Sequence, residues 1–143
     1  MSVWTHNIKG VDYLPSYSIG QYTGKAVKYA AGTMSSELSA AANKFNVTLI
    51  AAGGSTVGVA GGFLQGGGHS GLTSYYGLAS DQVLSVQLVT ADGRFVTADP
   101  NTNTDLFYAI RGGGGGKLDS PKSLYRNPLT RLRYIRSGDF GHC

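Results

Sequence analysis

Cysteine is nearly missing from this chain of 143 residues: the one cysteine, Cys143, is its last residue. Neither a disulfide framework nor a thiol cluster for metal can be built from it. His6, His69 and His142 stand far apart in sequence without ligand spacing, so no metal centre is expected. Charged residues make up only 14% of the chain, and no carboxylate pair is placed for general acid–base chemistry. Ser55 and Ser70 lack the flanking glycines of a nucleophile elbow. No run approaches the ~18 apolar residues of a membrane span, so no membrane partner is expected. Met1–Asn7 has neither the basic nor the apolar part of a signal peptide, and reads as no leader. What remains is one domain by length, with 41% hydrophobic residues, enough for a core.

Glycine, by contrast, is abundant. Nine of the nineteen residues from Gly53 to Gly71 are glycine, yet Val57, Val59, Phe63 and Leu64 interrupt them as apolar anchors. An anchored glycine run is held rather than free, and ordering glycine costs more backbone entropy than ordering any other residue. One explanation is close approach of a ligand, whose phosphates, hydroxyls or carbonyls meet open amide N–H groups. The other is a string of tight turns. On these residues alone both stand.

Charge divides the chain. Residues 1–116 carry six Lys/Arg and six Asp/Glu, whereas residues 117–143 carry six Lys/Arg and two Asp/Glu, the whole net charge of +4. That is a composition break, and the basic tail from 117 to 143 is expected to be disordered and unpacked. Its strip Leu129–Arg136 interleaves arginine with Tyr134, as nucleic-acid sites do. A basic sequence read from an intron or a wrong frame looks the same, and no nucleic-acid partner is expected.

Along the chain, Val11–Pro15 reads as a short strand closed by proline and Ala26–Gly32 as a second. Leu38, Ala41, Ala42 and Phe45 share a face of a helix over Ser35–Phe45, with Ser35 or Ser36 as its N-cap. Val47–Ala52 is a continuous apolar strand leading into the glycine stretch. Asp81–Thr90 and Arg94–Ala98 form a hairpin about Asp92-Gly93, and Asn103–Arg111 a capped helix ended by Gly112. One sequon, Asn46-Val47-Thr48, matters only in a secreted protein.

Gly66-Gly67-Gly68-His69-Ser70-Gly71 satisfies G-x-G-x-x-G, and Asp92 lies at about the distance of a ribose-binding acid. The dinucleotide reading fails because Leu72–Gly77 is a poor helix start and the downstream strand pairs by a hairpin. Gly116-Lys117 is no phosphate loop, since Arg111 and Leu118 occupy the first-glycine and hydroxyl positions. By elimination, any chemistry belongs to a cofactor held on glycine-rich backbone.

Taken in order, Gly54–Gly62, Gly66–Gly68, Tyr76–Leu84, Val89–Gly93 and Asp105–Gly116 resemble the FAD-binding domain of berberine-bridge-enzyme-like oxidoreductases. These lie within the vanillyl-alcohol-oxidase (p-cresol methylhydroxylase) type of flavoprotein. Trp4–Asn7 and the Gly24–Gly32 strand are similar to fungal members. The resemblance covers about residues 2–116, read as a partial FAD-binding domain, and implies an α+β fold: the second subdomain, a mostly antiparallel sheet with flanking helices. It implies FAD as cofactor and a sugar or alcohol as the substrate of full-length relatives. It assigns to the cofactor Gly53, Gly54, Ser55, Thr56, Val57, Gly58, Gly61, Gly62, Gly66, Gly67, Gly68 and His69, with Asp81 and Val83 as a further contact. No catalytic residue is assigned. Where bicovalent members carry a cysteine this chain has Gly54, so no cysteinyl–flavin bond is expected. The family's first subdomain, its flavin-linked histidine and its substrate domain have no counterpart in these residues, so an incomplete, inactive fragment is expected, the alternative being a non-catalytic module whose glycine loops hold a phosphate-bearing ligand.

Overall fold

The computed structural model describes residues 4–115 and the main chain of residues 131–134. Two antiparallel hairpins frame it. In the first, β1 (Val11–Ile19) and β2 (Tyr22–Ala30) turn about Gly20, whose φ of 54° suits glycine. The strand expected to stop at Pro15 runs on to Ile19. β1 is an edge strand, and its register shifts between Leu14 and Tyr17, where a residue without an N–H costs no ladder bond. In the second hairpin, β3 (Val83–Val89) and β4 (Phe95–Ala98) meet around Asp92-Gly93, with Gly93 at φ 84°. The Asp92 carboxylate accepts bonds from Arg94 Nε at 2.7 Å and from the Thr90 hydroxyl. A side chain so placed belongs to the turn of the hairpin.

Helix α1 spans Ser35–Phe45, as its periodicity predicts, but its cap is Met34 rather than a serine. The Met34 N–H donates to Glu37 at 2.8 Å, and Ser35 and Ser36 give their own amides to the glycine loop. At the other end Asn46 adopts φ 51°, and Val47 N–H and Asn46 N–H bond to the Ala42 and Asn43 carbonyls, a Schellman closure. Residues 47–52 form no strand. Leu49 and Ile50 are buried, so their apolar run reflects burial without a ladder, which pattern alone does not separate. Two single-turn helices, α2 (Gly62–Gln65) and α3 (Thr73–Tyr76), follow, then a 3-10 turn at Ala79–Gln82. Helix α4 (Thr104–Ile110) begins after Asn103, which sits at φ 49° and gives its side-chain amide to the Thr97 carbonyl instead of capping the helix.

The expectation of an unpacked tail fails for four residues. Arg131–Tyr134 form β5, which lies between β2 and β3 and joins the hairpins into one sheet of order β1-β2-β5-β3-β4. Both inner strands would otherwise present open edges, and a backbone of almost any sequence satisfies such an edge. The rest of 117–143 lies outside the described residues. Against the sheet, Val27, Tyr29, Val86 and Leu88 pack with Leu38 of α1, Leu64 of α2, and Phe107 and Ile110 of α4. Burial pushes the Tyr29 phenol well above its ordinary pKa, so it stays neutral in the core.

Candidate functional site: the glycine loop

The chain leaves buried Leu49 and Ile50 and enters an exposed loop, residues 53–58, before Val59 and Ala60 return it to the core. Short bonds fix this loop to the N-terminus of α1. Ser36 N–H donates to the Ser55 carbonyl at 3.0 Å, Ser35 N–H to Val57 at 2.9 Å, and Val59 N–H to Thr33 at 3.1 Å. Met34 and Gly58 thereby form a two-residue antiparallel bridge. The Ser35 and Ser36 amides of the first turn of α1 are thus spent on the loop's carbonyls. Among the described residues no acceptor pairs with the exposed amides of Thr56, Gly58, Gly61 or Gly62.

The glycines separate into two sets. A Cβ added at Gly53, Gly58, Gly61 or Gly62 would meet nothing within 4 Å, and none of the four has a positive φ. Gly54 and Gly66 are exposed but tighter: a Cβ on Gly54 would sit 3.0 Å from a Val57 methyl, and one on Gly66 3.0 Å from the Gly62 carbonyl. Gly67 and Gly68 are different: both are buried, with φ of 99° and 76°. A Cβ on Gly68 would collide with the Ala79 side chain, and one on Gly67 would sit 3.3 Å from Leu78. Their carbonyls accept from Ser80 and Ala79 N–H at 3.0 Å, docking the 3-10 turn onto the loop.

The second glycine run packs on the same seam. Gly114 N–H donates to the Gln65 carbonyl at 2.7 Å, and the Cα of Gly67 lies 3.8 Å from where a Cβ on Gly112 would be. Arg111, read from sequence only as the end of the last helix, donates Nε to the Ser80 carbonyl at 2.9 Å and covers the Phe107 ring at 4.9 Å. Sequence reading missed this contact, because nothing local in Arg111 points to a turn 31 residues earlier.

Ser55, Thr56 and Val57 lie on the exposed loop with the open glycines, and His69 is exposed beyond the seam. Asp81 and Val83 sit at the 3-10 turn. The Asp81 carboxylate accepts from Leu78 N–H at 2.8 Å, and the Asp81 and Val83 amides bond to Leu78 and Ser80 carbonyls. Their N–H groups are therefore engaged inside the chain. At the start of α3 the Thr73 hydroxyl accepts from Ser70 N–H at 2.9 Å and the Ser70 hydroxyl accepts from Leu72 N–H at 3.1 Å. Among the described residues no group of three His, Cys, Asp or Glu side chains is gathered for a metal, and no helix is long and apolar enough to cross a membrane.

The loop thus combines unpaired amides on a fixed backbone with four glycine positions where a Cβ would meet nothing within 4 Å. Residues 16–99 match the FAD binding domain family. That span is more than half of the chain, which belongs to this family, and FAD is the family's cofactor. The chain is 47% identical to the FAD-linked oxidoreductase patO of Penicillium expansum over 116 residues, 81% of this chain and 20% of patO. The fold superposes on the VAO-type flavoprotein MtVAO615 of Myceliophthora thermophila C1 with a TM-score of 0.82 at 39% identity, over 92% of this chain and 23% of that one. Glucooligosaccharide oxidase of Acremonium strictum matches at TM-score 0.63 and 26% identity, over 76% of this chain and 21% of its own. A berberine-bridge-enzyme-like protein of Physcomitrella patens shares the fold too. The chain spans about a fifth of the length of these relatives.

Proposed function

We infer that this chain supplies one wall of the FAD site of a flavin-linked oxidase of sugars or alcohols. Bound FAD would take a hydride from a substrate carbon; the residues described here bind and orient it. The exposed amides of Thr56, Gly58, Gly61 and Gly62 donate to its oxygens, and the open positions at Gly58 and Gly62 let it come within van der Waals reach of the main chain. Gly53, Gly54, Ser55, Val57 and Gly66 extend this surface, while Gly67 and Gly68 hold the loop in place from behind. His69, Asp81 and Val83 flank it. The substrate class follows the glucooligosaccharide oxidase among the relatives.

The observation that carries this reading is the emptiness around Gly58 and Gly62. Neither backbone conformation nor packing inside the chain calls for glycine there, and the space left is open to a ligand. Gly58→Val and Gly62→Val, made in the protein that carries this chain, should abolish flavin retention while the thermal transition moves little. Flavin absorbance of the purified variants, beside their melting curves, tests it. A large loss of stability with flavin retained would make the loop a set of plain turns. Retained flavin at unchanged stability would place the cofactor elsewhere.

A further inference from the structure

The sequon at the end of α1 is not used by the cofactor site, and the fold presents it in an unusual way. Asn46 is exposed, and its backbone is locked: φ is 51°, its N–H closes on Asn43, and Val47 N–H closes on Ala42. All of that work is done by the main chain. Among the described residues no hydrogen bond engages the Asn46 carboxamide. Val47 separates it from Thr48, so the Asn-x-Thr spacing is met without proline. Position matters as well. The N-terminus of α1 is bonded to the glycine loop and Asn46 lies past its other end, so eleven helical residues, about 16 Å of rise, stand between them.

We propose that Asn46 is an N-glycan acceptor, occupied when the protein passes through the lumen of the secretory pathway. The transfer balances simply. The Asn46 side-chain nitrogen forms a bond to the anomeric carbon of a lipid-diphosphate-linked oligosaccharide, the carbon–oxygen bond to diphosphate breaks, and the amide loses one proton as the lipid diphosphate leaves. Transfer takes place on the unfolded chain, and the fold then has to leave the sugar outside. Asn46 does this, since its side chain is exposed and unpaired and the glycan starts far from the loop that faces the cofactor.

The full chain, carrying a cleavable leader and translated with eukaryotic microsomes, tests it. The protease-protected fraction should gain the mass of one glycan, lost on treatment with peptide N-glycosidase, which leaves heavy-oxygen aspartate at position 46 in labelled water. Thr48→Ala should abolish the gain while keeping the Asn46 cap, and Thr48→Ser should retain it. Asn46→Gly, which keeps the left-handed turn, should also be unmodified. Protected chain without added mass would overturn the proposal. So would added mass that survives Thr48→Ala.

Discussion

At the scale of single residues, two glycines with the same side chain answer to different forces. Gly68 is buried at φ 76° against Ala79, whereas Gly62 opens the exposed start of α2 with free space where its Cβ would be. Gly68→Ala adds both left-handed strain and a clash, and should cost about 2 kcal/mol or more. Gly62→Ala should stay within about 0.5 kcal/mol of neutral. Urea denaturation of the two variants checks the contrast, and equal losses would show that both glycines serve the fold. Asn46 obeys the same conformational rule: Asn46→Ala should lose about 1 kcal/mol, because alanine resists the left-handed region that asparagine and glycine tolerate. Asn46→Gly should lose little or nothing in the same assay. Which glycines are numerous is plain in the sequence. Which of them are buried, and at what φ, depends on Ala79 and Leu78, and no local pattern carries that.

At the scale of elements, α1 begins with a charge arrangement that acid should undo. The Lys9 ammonium, 2.8 Å from Glu37 and also bonded to the Gly32 carbonyl, holds the Glu37 carboxyl below its ordinary range, helped by the Met34 N–H. A carboxylate with a lowered folded-state pKa stabilises the fold above its unfolded pKa, and that contribution disappears as pH falls through the folded value. The pair is partly exposed, so its worth is under ~1 kcal/mol. Glu37→Gln should therefore lower stability slightly at neutral pH, and the gap to the native chain should close in acid, as melting curves across pH would record. A gap that widens in acid would contradict the assignment. Strand β5 raises the opposite case, an element that composition hid. Leu132 is paired in register with both Tyr29 and Val86, so Leu132→Pro removes a main-chain donor from the middle of the sheet. We expect a loss on the order of 1–3 kcal/mol and a broader unfolding transition as the two hairpins uncouple. Composition marked 131–134 as part of a foreign tail. Open edges on β2 and β3 accept a backbone irrespective of its charge, which is why that reading did not hold for these four residues.

At the scale of the whole molecule, the described residues include a loop of open amides, and the chain spans about a fifth of the length of its relatives. Each hydrogen bond from such an amide to a solvated cofactor nets ~1 kcal/mol, against several kcal/mol of lost translational and rotational freedom. By itself the chain should bind FAD more weakly than micromolar and release no peroxide from sugars or alcohols; flavin fluorescence titration and a peroxide assay check both. Saturable sub-micromolar binding would show that this wall alone suffices. Helix α1, the Asp92-Gly93 hairpin and the held, anchored character of the glycine loop were determined by the sequence alone, which left ligand approach and tight turns both open. Each rests on contacts within a few residues: a periodic face, a turn that needs positive φ, a run too anchored to be a linker. Only the tertiary structure decided that Gly112 packs beside Gly67, that Arg111 ties α4 to Ser80, and that Arg131–Tyr134 close the sheet. Those contacts join segments distant in sequence, and backbone approach of this kind is chosen by space and unpaired hydrogen-bonding groups, which leave no periodic signal in the residues that satisfy them.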